Sequence, residues 1–209
     1  MEAAYIGILG TVIGVLLGWG LGIISNWISH LLKRNELKKM VFVDLENLLL
    51  VLSMTSYRIQ IHLGVLSRAS LEEFSKLTKD NDDSIAAAIN DLLKLKDDEL
   101  TTLLVLKKGE DGEGLALKEF STPLLDASIG QISIFNPGFQ KKILNIYSAT
   151  KRLNEAVELS MAQMDKTFLP EAMESSSVSI NKNIDRSYEF INTQALNISR
   201  DIKAAIQQG

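Results

Sequence analysis

Cysteine is absent from the 209-residue chain, and proline occurs only at 123, 137 and 170. No disulfide, thiolate nucleophile or Cys-ligated metal can form, which suits a reducing compartment. Few prolines permit long uninterrupted helices. Aromatics are sparse, at 6% of residues. An excess of basic charge is missing too. The net charge of −4 argues against a nucleic-acid partner, which would call for a basic chain.

The signatures of catalysis and cofactor binding are also lacking. There is no P-loop, dinucleotide fingerprint, nucleophile elbow or HExxH. The two histidines, His30 and His62, have no nearby residues at metal-ligand spacing. Asp80–Ser84 resembles the start of a calcium loop. The positions that need Gly and Glu hold Ile85 and Asp91 instead. Asn197-Ile198-Ser199 is formally a glycosylation sequon, but it falls in a region expected inside the cell. The sequence gives no reason to expect an enzyme, a cofactor or a metal.

What is present begins with a long uncharged run. No charged residue occurs from Ala3 to Ser29. Tyr5 to Ile24 is twenty residues, nearly all apolar. As a helix it would be about 30 Å long, the thickness of one hydrocarbon core. A cleaved signal peptide would instead show a basic leader and a small-residue cleavage site. Here Glu2 precedes the run, and "SNWISHLLKR" follows it. A buried core helix is a further alternative, disfavoured by the length and the lack of charge.

The flanks predict orientation. Lys33, Arg34, Lys38 and Lys39 follow the run, against Glu36, while only Glu2 precedes it. The positive-inside rule places the C-terminal side in the cytoplasm, with the N-terminus outside. Trp27 suits the headgroup belt, and the four basic residues suit an anionic lipid surface.

Glycine is concentrated inside this run. Six of the sixteen residues from Gly7 to Gly22 are Gly, although Gly is a poor helix former. Gly7, Gly10, Gly14, Gly18 and Gly22 share one slanting face, with Leu9, Ile13, Leu16, Ile24 and Trp27 opposite. Small-xxx-small stripes allow close approach of helices in lipid. The stripe predicts association of spans, first of all with further copies of the chain. Gly20 lies off the stripe.

The remainder reads as helix with short breaks. Leu37, Met40, Val41, Leu45, Leu48 and Leu52 recur at three and four, and "LLLVLSM" is apolar all round. Ser70–Glu73 has capping-box spacing. "KDNDDS" reads as a turn and "GEDGEG" as an exposed loop. One helix is expected from Ile85 to about Lys107. Pro123 is placed to open a helix, "QISIF" to be extended and "NPG" to turn. Pro170 and "ESSS" are read as a break. The last helix, Val178–Gln208, places Ile184, Tyr188, Ile191, Ala195, Ile198 and Ile202 on one heptad seam. Packing inside the chain's own bundle competes with a coiled coil for that seam, and is favoured.

The predicted fold is all-α. A transmembrane helix at 1–30 precedes a cytoplasmic bundle of about four long helices at 31–209. Within it, Ile129–Glu155 resembles a segment of bacterial single-span membrane proteins that have a helical cytoplasmic region and no assigned activity. Gly130, Ile132, Pro137, Tyr147, Ser148, Leu153 and Asn154 carry the resemblance. It implies bacterial origin and this topology.

The expectation is an inner-membrane protein that works by assembly. It would serve as a scaffold or as a gated channel-like complex, as in a membrane-disrupting defence effector. Its partners are the lipid bilayer and other copies of the chain. The rival is a tethered adaptor whose bundle binds a cytoplasmic protein.

Overall fold

The structure is a computed structural model describing residues 2–79, 83–107, 114–167 and 174–208, with side chains described outside 2–16, 83, 166–167 and 174–180. Among the described residues the chain is all-helical. The elements are α1 (Glu2–His62), α2 (Arg68–Thr78), α3 (Asp83–Lys94), α4 (Asp97–Lys107), α5 (Pro123–Ser128), a 3-10 segment (Ile129–Ile134), α6 (Pro137–Thr167) and α7 (Glu174–Gln208). Where about four long helices are expected, three exceed thirty residues and four are short. The chain divides into two compact units, Met1–Val41 and Phe42–Gly209, and α1 supplies residues to both.

The core of the second unit follows from spacing. Leu45, Leu48, Leu49, Leu52 and Ile59 of α1 are buried. In α6 they are joined by Phe139, Ile143, Ile146, Leu153 and Val157. In α7 the predicted seam residues Ile184, Tyr188, Ile191, Ala195, Ile198 and Ile202 are all buried within the single chain. Helices α6 and α7 pack along each other more extensively than any other pair. The "LLLVLSM" run is not buried all round: Val51 is exposed while Leu49 and Leu52 are enclosed. A helix against one wall of a bundle covers only part of its circumference.

Local chemistry sets the boundaries. Beyond His62, where α1 ends, the chain turns at Gly64, whose φ of 68° suits glycine; Gly64 N–H donates to Ile61 O and Val65 N–H to Gln60 O. Ser67, not Ser70, caps α2, accepting from Ser70 N–H at 3.2 Å. Glu73, read as the acid of a capping box, instead grips Arg200 of α7 through two oxygens at 2.6 and 3.0 Å.

The expected helix from Ile85 to Lys107 is two helices. Arg68 reaches the carbonyls of Leu93 and Leu95 at 2.7 and 2.5 Å and Asp97 at 2.8 Å. Glu99 accepts from Lys96 N–H, starting α4. A small core of Leu66, Leu71, Phe74, Ile89 and Leu100 seals this subassembly.

Three further readings change. "QISIF" is 3-10 helix through Ile134 rather than extended. "NPG" opens α6, with the Asn136 side chain accepting from Phe139 N–H at 2.9 Å and Pro137 in the first helical position. "ESSS" begins α7 instead of breaking the chain. The expected turn at 80–82 and most of the "GEDGEG" loop lie outside the described residues.

Candidate functional site

In the first unit, helix α1 is bare. Among the described residues from 17 to 32 none is buried. Leu17, Trp19, Leu21, Ile23, Ile24, Trp27, Ile28, Leu31 and Leu32 all stand exposed, Trp19 at 70%. Burial begins at Leu37 and Val41. The stretch Leu17–His62 is the one described helix long and apolar enough, by length and composition, to cross a membrane.

On this helix a Cβ added at Gly18 or Gly22 would meet nothing within 4 Å, so the visible part of the glycine stripe is open. Gly20 is equally open. Gly7, Gly10 and Gly14 are helical, but their surroundings lie outside the described residues. Trp27, Lys33, Arg34 and Lys39 are exposed and Lys38 is half-buried.

In the second unit, α6 holds the connection from Gly114 to Ser128 in place. The Asn154 amide accepts from Phe120 N–H at 2.8 Å and donates to Phe120 O at 3.0 Å. The Tyr147 hydroxyl donates to Asp126 at 2.7 Å, and Lys151 pairs with the same oxygen at 3.0 Å while lying over the Tyr147 ring. The hydrogen bond from Tyr147, then Lys151, holds the Asp126 carboxyl below its usual pKa. The Tyr147 phenol and Lys151 ammonium are raised, first by their bonds to Asp126.

From α7, Tyr188 completes the clasp. Its hydroxyl accepts from Leu115 N–H at 2.7 Å and lies 3.3 Å from Leu115 O. Burial, opposed by the Leu115 bond, pushes the Tyr188 phenol up.

No protein family, curated protein or solved structure matches the chain. The segment Ile129–Glu155 therefore stands on its own residues. Tyr147 and Asn154 are tie points, Leu153 and Ile132 are core, Pro137 opens α6, and Gly130 and Ser148 lie open. Holding one connection in place accounts for Tyr147 and Asn154 of the motif.

Two residues missed by sequence reasoning are central here. Asp44 is buried on α1 and accepts from Leu125 N–H at 2.7 Å. It caps α5, whose own N-cap residue Thr122 makes no capping bond. Arg68 closes the end of α3. A helix-period pattern flags Asp44 only as a charge on the apolar side of α1, two residues from neither Lys nor Arg. Arg68 gives no signal, because its partners, two carbonyls and Asp97, lie at a break that the sequence does not announce.

Proposed function

We propose that this chain is a bacterial inner-membrane protein, N-terminus outside, that self-assembles through the glycine face of its span. Its helical domain would stand in the cytoplasm. The assembly would act as a membrane scaffold or a gated, channel-like effector complex. The observation that carries this reading is the bare helix from Leu17 to Leu32. Apolar area left in water forfeits roughly 25 cal/mol per Å², which lipid would recover. Lys33, Arg34, Lys38 and Lys39 beyond it support the orientation. In lipid the backbone must satisfy itself, so a glycine-rich segment stays helical and its small face is available for packing.

The seam of α7 is occupied inside the chain, which leaves the glycine face as the self-association surface of this reading. Intact protein in mild detergent or nanodiscs is expected to be oligomeric, and the double variant Gly14→Leu with Gly18→Leu monomeric. If both are monomers, assembly through the stripe is wrong. Ion flux in liposomes then separates channel from scaffold.

A tethered adaptor is the second reading. Val105, Leu106, Leu159 and Phe190 of the helical domain are exposed and apolar, Leu106 at 79%. They offer contact area for a protein partner. A monomeric intact chain that retains this domain's fold would favour it.

A further inference from the structure

Basic residues converge on one cavity of the second unit. The last turns of α1 and α4 meet the chain at Gly114–Ala116 around a surface cavity of about 390 Å³. Among the described residues Arg58, Ile61, His62 and Lys107 line it, and no described carboxylate does. Arg58 and His62 are one helical turn apart, so they share a face of α1. Among the described residues neither Arg58 nor Lys107 forms an ion pair.

Part of the wall, at His62, Gly114 and Leu115, is held in place. The His62 ring stands edge-on to Tyr188 with centroids 5.5 Å apart. Tyr188 in turn binds Leu115 N–H. A Cβ at Gly114 would lie 2.0 Å from Met164 Sδ, so the chain passes α6 where only glycine fits without displacing that side chain. The cavity is therefore bounded by side chains and backbone held from α6 and α7.

Helix C-termini favour nearby cations, which accounts for His62 and Lys107 as helix-end residues. It does not account for Arg58 beside them. Arg58, His62 and Lys107 line one cavity with hydrogen-bond donors, an arrangement that an anion would complement. The donors are complementary to an oxyanion: a guanidinium fork, an ammonium and an imidazole N–H. The volume lies at the small end of ligand sites, room for a phosphate with a modest organic body.

We propose that this cavity binds a phosphate-bearing ligand through Arg58, His62 and Lys107. The proposal does not depend on the membrane assembly proposed above. A phosphorylated metabolite and a lipid headgroup share this chemistry.

The test is calorimetry of the intact chain in a maltoside detergent, titrated with pyrophosphate at low salt. Saturable binding is expected. Arg58→Gln and Lys107→Gln, both at exposed positions, should each weaken it by about tenfold, with helicity unchanged by circular dichroism. The distant control Lys94→Gln should leave it unchanged. Absence of saturable binding, or equal weakening in the control, overturns the proposal.

Sequence places Glu110, Asp111 and Glu113 between Lys107 and Gly114. If binding emerges only when these three become Gln, the chain's own carboxylates fill the cavity and the proposal fails. Repeating the titration in nanodiscs separates the sources. Loss of pyrophosphate binding in phosphatidylglycerol discs but not phosphatidylcholine discs assigns the headgroup. Retention in both assigns a soluble ligand.

Discussion

Asp44 shows how much one side chain can hold. Its carboxylate is buried and satisfies an amide 81 residues further along the chain. Asp44→Ala removes the acceptor and leaves Leu125 N–H enclosed without a partner. The expected loss is about 1–3 kcal/mol in urea unfolding, with Asp44→Asn recovering part of it. Asp126 acts at the surface and reports through pH. Its pKa is lowered in the folded chain, so its contribution is complete above the ordinary carboxylate pKa of about 4 and fades as pH falls below it. Tyr147 and Lys151 are raised, so theirs is complete below about pH 10 and is lost above. Stability measured from pH 5 to 3 should therefore fall more steeply for the intact protein than for Asp126→Asn. Equal slopes would show that the Asp126 contacts add nothing to stability. None of these partnerships was visible beforehand. Tyr147 and Asn154 stood out only by resemblance, and Asp126 looked like any surface acid.

At the scale of elements, the apolar periods of α6 and α7 were legible because each long helix is amphipathic over many turns. Every seam position from Ile184 to Ile202 lies inside. The breaks were less legible. The division at Leu95–Lys96 depends on Arg68, 25 to 29 residues earlier in the chain, and no local rule contains that bond. "QISIF" has strand-like composition, yet the segment is short and continues directly from α5 into 3-10 turns. Composition alone cannot separate those outcomes. Between α1 and α7 the polar contacts are specific. Asn192 Oδ1 accepts from Ser56 Oγ and from Gln60 Nε2, the latter at 3.2 Å. Asn192→Ala strands both donors and should cost about 1–3 kcal/mol. Asn192→Asp keeps an acceptor and should cost less at neutral pH.

For the whole molecule, the contrast lies between a bare helix and a domain with its own core. A chain beginning at Arg34 should remain in solution without detergent and unfold in one cooperative transition. The intact chain should need detergent or lipid. If the shortened chain aggregates, the exposed apolar residues of the helical domain matter more than those of Leu17–Leu32. The uncharged run was legible from sequence because length and composition need no tertiary partner. The cavity at Arg58 was not, since its residues come from three separate stretches of chain.

The bonds from Ser56 and Gln60 to Asn192 close loops of 136 and 132 residues. During synthesis at roughly 5–20 residues per second, that separation is about 7 to 27 s. For that interval the Ser56 and Gln60 side chains of α1 wait for Asn192 of α7. A message truncated before α7 would leave both donors without that acceptor permanently.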